Sequence, residues 1–68
     1  MEDQQHQFTD KELEVILLLL EGKSTQEIAL RLSVSTRAVE HRLTHIFQEL
    51  SVGSRTEAVL KLTYLFKK

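Results

Sequence analysis

TQEIALRLSVSTRAVEHRLT, residues Thr25–Thr44, is the stretch that decides the fold. Ile28, Ala29 and Leu32 put one apolar side on a short helix. Val39 and Leu43, continued by Ile46 and Leu50, recur at i, i+4, i+7 and i+11, a single buried stripe on a longer helix that Phe47 widens. Between the two stand only Ser33-Val34-Ser35, a connection short enough to force the helices together at once. The small side chain of Ala29 lets the second helix cross the first closely, at the roughly 90–120° of a helix-turn-helix. Val34 is expected to plug the space between them. Ser33 stands where many such turns place glycine, and is read as an unstrained serine or as part of a longer turn.

Working outward, the other helices are announced by one repeated device. Thr9 with Glu12, Ser24 with Glu27 and Ser54 with Glu57 each read as a capping box, in which hydroxyl and carboxylate take each other's backbone N–H. Phe8 and Leu13 occupy the staple positions around the first box, and Ser35 is an N-cap without an acidic partner. Gly22 suits the C-terminal cap of the first helix, and Gly53 lies in the last turn. The chain has no proline and only these two glycines, so little interrupts the helices. The expected architecture is all-α, a four-helix bundle containing a helix-turn-helix, with helices at about 10–21, 25–32, 36–50 and 55–66. Residues 1–7 read as a disordered tail or linker remnant and 8–68 as the domain.

Composition limits what such a domain can do. Its 68 residues are 41% hydrophobic and 28% charged, as in a folded protein, yet so short a chain buries only about 60% of its unfolded surface and gains from dimerisation. With no cysteine, disulfides and thiolate metal sites are excluded. The longest apolar run, Val15–Leu20, is far short of the ~20 residues of a membrane span, and the N-terminus lacks a signal-peptide pattern, so a cytoplasmic protein is expected. No nucleophile–base set, glycine-rich phosphate loop or carboxylate pair suggests an enzyme. His41 and His45 have chelating spacing but no third ligand nearby, so neither a metal nor a cofactor is expected. The net charge of −1 hides an asymmetry: residues 1–21 carry six acids and one base, residues 22–68 eight bases and four acids. The basic two-thirds can attract phosphate.

Opposite its buried stripe, the third helix turns out Arg37, His41, Thr44 and Gln48, with Glu40, Arg42 and His45 on the flanks. This face is rich in hydrogen-bonding groups and poor in acids. Arg37, Glu40, His41 and Thr44 are the candidates for reaching base edges of a duplex. Lys23, Thr25, Ser35, Thr36, Arg42, His45 and Arg55 are the candidates for phosphate, Thr25 and Ser35 because helix N-termini also present free N–H groups. Glu40 either accepts from a cytosine amino group or pairs with Arg37 or Arg42 on its own helix. In the fourth helix Ala58, Val59, Leu62, Leu65 and Phe66 supply the core side, and Leu60 and Tyr64 form a second apolar stripe, expected to be a symmetric dimer contact.

The chain resembles the DNA-binding domain of the LuxR/FixJ/NarL/GerE class of bacterial regulators, from Phe8 to about Leu62. The resemblance rests on Phe8-Thr9-x-x-Glu12-x-Glu14-Val15-Ile16, Leu18-Leu19-x-x-Gly22 and Ser24-Thr25-x-Glu27-Ile28-Ala29. It continues through Leu32-x-Val34-Ser35-x-x-x-Val39, Ile46, Leu50, Val52, Arg55 and Ala58-Val59. Leu43-Thr44-x-Ile46-Phe47 and Val52–Leu60 are most similar to one subgroup, the output domains of competence-type response regulators of two-component systems. The resemblance implies a third helix that enters the major groove, a fourth that makes a dimer contact, and Val15, Ile16, Leu18 and Leu19 facing inward. Leu13, Leu17 and Leu20 are then left to meet another domain, or the helix is rotated. Most of the family has a basic residue at 26, threonine at 38, lysine at 40, histidine at 42 and lysine at 49. Here they are Gln26, Ala38, Glu40, Arg42 and Glu49, which changes the generic phosphate and base contacts.

The expected function is therefore transcription regulation by sequence-specific binding of double-stranded DNA, as a homodimer on two half-sites. An N-terminal receiver domain and RNA polymerase are the expected protein partners. The alternatives are a helix-turn-helix used as a protein-interaction module, with the acidic first helix as contact, and a sigma-factor-like promoter-reading domain.

Overall fold

A computed structural model describes residues 8–66; the tail expected at 1–7 lies outside the described residues. Four helices follow in order, α1 (Asp10–Leu20), α2 (Thr25–Leu32), α3 (Thr36–Leu50) and α4 (Arg55–Phe66), so the all-α expectation holds. Only α1 differs in its bounds: Glu21 is its C-cap rather than its last turn. α3 packs on each of the other three, and α1 also touches α2 and α4.

The starts of α1 and α2 follow the expected chemistry. Thr9 Oγ1 accepts the Glu12 N–H at 3.1 Å while Glu12 Oε1 accepts the Thr9 N–H at 3.0 Å. Ser24 and Glu27 repeat the exchange at 3.1 and 2.8 Å. The third box closes differently: Ser54 Oγ accepts the Glu57 N–H at 3.2 Å, but Glu57 Oε1 takes the N–H of Gly53, one residue earlier, at 2.8 Å.

The helix ends carry the corrections. Gly22, at φ +86, ends α1, with the Lys23 N–H reaching back to the Leu18 carbonyl at 3.1 Å. Ser33 takes the same left-handed role at φ 60, so it is not the unstrained serine expected. The Cβ that glycine lacks makes this conformation costly for serine. It is held by the bond from the Val34 N–H to the Ala29 carbonyl, 3.0 Å. Val34 is 36% exposed and is not part of the buried core, so it does not fill the α2–α3 space as a full plug. Ser51, also at φ 60, ends α3 likewise, and Lys61 Nζ donates to the Leu50 carbonyl at 2.8 Å, placing a cation where the helix dipole is negative.

The core unites the expected stripes: Val15, Ile16, Leu18 and Leu19 of α1, Ile28 and Ala29 of α2, Val39, Leu43, Ile46 and Leu50 of α3, and Ala58 and Leu62 of α4. Leu32, Phe47, Val59 and Leu65 pack partly buried against it, as does Phe8 at the α1 staple position. Phe66 does not join them; it sits in the last turn of α4 and is exposed. Leu13 and Leu17 are exposed while Leu20 is half-buried, so α1 has the expected rotation. Among the described residues no helix is long and apolar enough to cross a membrane.

Candidate nucleic-acid interface

With Val39, Leu43, Ile46 and Leu50 turned into the core, helical periodicity leaves α3 one free side. The structure exposes Arg37, Glu40, His41, Thr44 and Gln48 there. It makes neither of the pairings considered for Glu40: among the described residues no ion pair joins it to Arg37 or Arg42. Glu40 and Arg37 are both exposed.

Ser35 Oγ accepts the Ala38 N–H at 3.0 Å, so its hydroxyl serves as a cap. The next N–H groups, at Thr36 and Arg37, point out of the helix start without intrahelical partners. Thr36 is exposed and Arg42 half-buried.

Two of the phosphate candidates are spoken for by other elements. Arg55, at the start of α4, directs its guanidinium at the turn before α2: Nη2 donates to the Lys23 carbonyl, and Nη1 to Thr25 Oγ1 at 3.4 Å. Arg55, Lys23 and Thr25 are thus brought together, all half-buried, with Arg55 bracing the start of the helix-turn-helix. His45 is bonded through Nδ1 to Glu12 Oε2 of α1. Its side chain is nevertheless 62% exposed, against 9% for Glu12. Burial, the largest influence on the Glu12 carboxyl, pushes it up. The Thr9 N–H, the bond and charge of His45, and the Thr9 hydroxyl outweigh burial and hold it below its ordinary value.

Glu12 is the residue that sequence reasoning missed. Its place in a capping box announced only a local role, and nothing local signals a partner 33 positions away. Leu30, 81% exposed on α2, was also unforeseen; it lines a shallow surface cavity of about 440 Å³ with Lys23, Glu27 and Arg31. On α4, Leu60 and Tyr64 are 66% and 81% exposed. Leu60 edges a second cavity, of about 340 Å³, lined also by Leu19, Leu20 and Val59. No group of three or more potential metal ligands forms among the described residues.

Two helices joined by the short turn Ser33–Ser35 and packed on each other, the second of them long and polar on its free side, are the arrangement of a helix-turn-helix. A profile described as bacterial regulatory proteins, luxR family, matches residues 6–62, and the chain belongs to that family. It is 46% identical over 57 residues to the transcriptional regulatory protein ComA of Bacillus subtilis, covering 84% of this chain and 27% of ComA. It is 39% identical over 54 residues to the spore germination protein GerE of the same organism, covering 79% of this chain and 73% of GerE. The ComA DNA-binding domain, in a crystal structure with the anti-activator RapF, superposes with a TM-score of 0.76 at 46% identity, covering 79% of this chain and 93% of that one. The chain is a LuxR-type DNA-binding domain of a transcription regulator, and it spans about a quarter of the length of ComA.

Proposed function

We propose that this domain regulates transcription in the cytoplasm by sequence-specific binding of duplex DNA, with α3 lying in the major groove. It acts by binding, without catalysis. The observation that carries the reading is the free side of α3: Arg37, Glu40, His41 and Thr44 are exposed, and their side chains make no hydrogen bond among the described residues. Exposed groups able to donate and accept are what base edges require. Arg37 suits guanine, Glu40 a cytosine amino group, and His41 and Thr44 the adjoining edges. Thr36, Arg42 and the free N–H groups at the starts of α2 and α3 suit phosphate. Lys23, Thr25, Ser35 and Arg55 contribute by shaping those starts.

Leu60 and Tyr64 of α4 are the proposed contact with a second copy, each binding one half-site. Their exposure supports this, since large apolar side chains one turn apart gain from burial. Sedimentation with and without a bound duplex tests it: a dimer on DNA is expected, and a monomer in both states excludes it.

Selection from a randomised duplex pool, followed by a salt titration, tests the reading as a whole. A defined motif is expected, with affinity falling steeply as salt rises through counterion release. No duplex binding at low salt would instead favour a protein-docking module. Exposed Leu30, among Lys23, Glu27 and Arg31, offers a surface for that second reading, and the ComA domain is seen with a protein, RapF. A receiver domain or RNA polymerase would supply the protein side here.

A further inference from the structure

We propose that Glu12 and His45 make DNA binding by this domain proton-linked, the His45 ring taking up a proton as its outer nitrogen engages a backbone phosphate. This rests on the reading of α3 as the DNA-facing helix. Both oxygens of Glu12 are committed, Oε1 to the Thr9 N–H at 3.0 Å and Oε2 to His45 Nδ1. The carboxyl lies below its ordinary value, so near neutrality it is an ionised, acceptor-only group. The hydrogen in the bond to His45 therefore resides on Nδ1.

That assignment fixes the other side of the ring. A neutral imidazole carrying its hydrogen on Nδ1 has a lone pair at Nε2, which a phosphate oxygen repels. Only the doubly protonated ring offers an Nε2–H to phosphate. The ring is 62% exposed while its Glu12 partner is 9% exposed, so Nδ1 is held at the core and the opposite edge is accessible. His45 follows Thr44 on α3 and flanks the proposed base-reading stripe, where a backbone phosphate would lie. A histidine free to choose its tautomer could donate from Nε2 while neutral; this one, held by Glu12, cannot.

The surroundings leave the ring's charge to Glu12 and the ligand. On α3, His41 and Glu49 lie one turn to either side and Arg42 three positions back, and none makes an ion pair with it. On α1, Asp10, Lys11 and Glu14 share or adjoin the turn of Glu12 without bonding the ring. Glu27 and Arg31 of α2, and Arg55, Glu57 and Lys61 of α4, also make no hydrogen bond or ion pair with it; Glu12 is the ring's one side-chain partner among the described residues.

The test is binding to a mixed-sequence duplex at low salt, because phosphate contacts do not depend on sequence. Wild type, His45→Gln, Glu12→Gln and His41→Gln are compared, with calorimetry in buffers of different protonation enthalpy to count protons. Wild-type affinity is expected to rise about threefold to tenfold from about pH 8 to about pH 6, the range in which imidazoles take up protons, with net proton uptake on binding. His45→Gln should flatten that rise. Its salt slope should be shallower than wild type by about 0.9 at the lower pH and equal at the higher, a difference that loss of folding alone would not produce. Glu12→Gln should weaken the linkage and His41→Gln should keep it. Binding without proton uptake, or a linkage lost in His41→Gln and kept in His45→Gln, overturns the proposal while leaving the DNA-binding reading intact. Absence of duplex binding at every pH overturns both. Should His45→Gln fail to fold, ring nitrogen NMR of the free wild type at about pH 8 decides: hydrogen on Nδ1 supports the proposal and hydrogen on Nε2 overturns it.

Discussion

The starts of α1 and α2 carry one motif in two environments. Thr9 with Glu12 and Ser24 with Glu27 form the same pair of backbone bonds, at nearly the same lengths. Yet Glu12 is buried and bonded to α3, whereas Glu27 is exposed and sits beside the charges of Lys23 and Arg31. A capping box thus specifies where a helix begins; what its carboxylate does beyond that is set by which element packs over it. At α1 the carboxylate joins the first helix to the proposed DNA-reading helix. At α2 it faces solvent at the edge of a shallow cavity.

The largest expected difference is in stability. Glu12→Ala leaves the Thr9 N–H and the His45 ring without their acceptor, and should cost about 1–3 kcal/mol in denaturant unfolding. Glu27→Ala should shift the midpoint less, because water replaces the lost acceptor. Equal losses would break the contrast between the two boxes.

Acid sharpens the same contrast. The Glu12 carboxyl lies lower in the folded protein than in the unfolded chain. Its contribution is therefore present above the ordinary carboxylate range, near ~4.3, and is lost as pH falls through the lowered folded value. Glu12→Gln should flatten the decline in stability below about pH 5. Glu27 is lowered too, chiefly by the Ser24 N–H, but solvent screening should leave Glu27→Gln with a smaller effect on that decline. The smallest difference is expected in the hydroxyl halves: Thr9→Ala and Ser24→Ala should each cost about 1 kcal/mol, since each removes one local cap bond. Thermal unfolding of the pair checks this, and a much larger loss at Thr9 would show that the box at α1 acts as one unit with His45.

The same division explains how much was legible in the sequence. Helix starts, the buried stripe of Val39, Leu43, Ile46 and Leu50, and the exposure of Leu60 and Tyr64 follow from spacing over a few turns, and residue order carries that information. The family pattern added the rotation of α1, with Val15 and Ile16 inward. What escaped depends on backbone detail or distance. Val34 is less buried than expected, in a turn whose left-handed Ser33 the residue order does not announce, and Phe66 is exposed in the last turn of α4. The Glu57 carboxylate chose the Gly53 N–H over that of Ser54, a difference of one residue that the box pattern does not encode. Arg55 and His45 were read only as phosphate candidates; their partners in the fold, the Lys23 carbonyl and Glu12, lie 32 and 33 positions away.

The assignment of the free side of α3 to DNA is tested most directly by one comparison: wild type and Arg37→Ala binding to the selected duplex and to a scrambled one, at matched salt. Arg37→Ala should lose about 1–3 kcal/mol on the selected duplex and much less on the scrambled one, because a bidentate base contact is sequence-dependent. An equal loss on both would make Arg37 a phosphate contact, and no loss on either would contradict the assignment of this face of α3 to DNA.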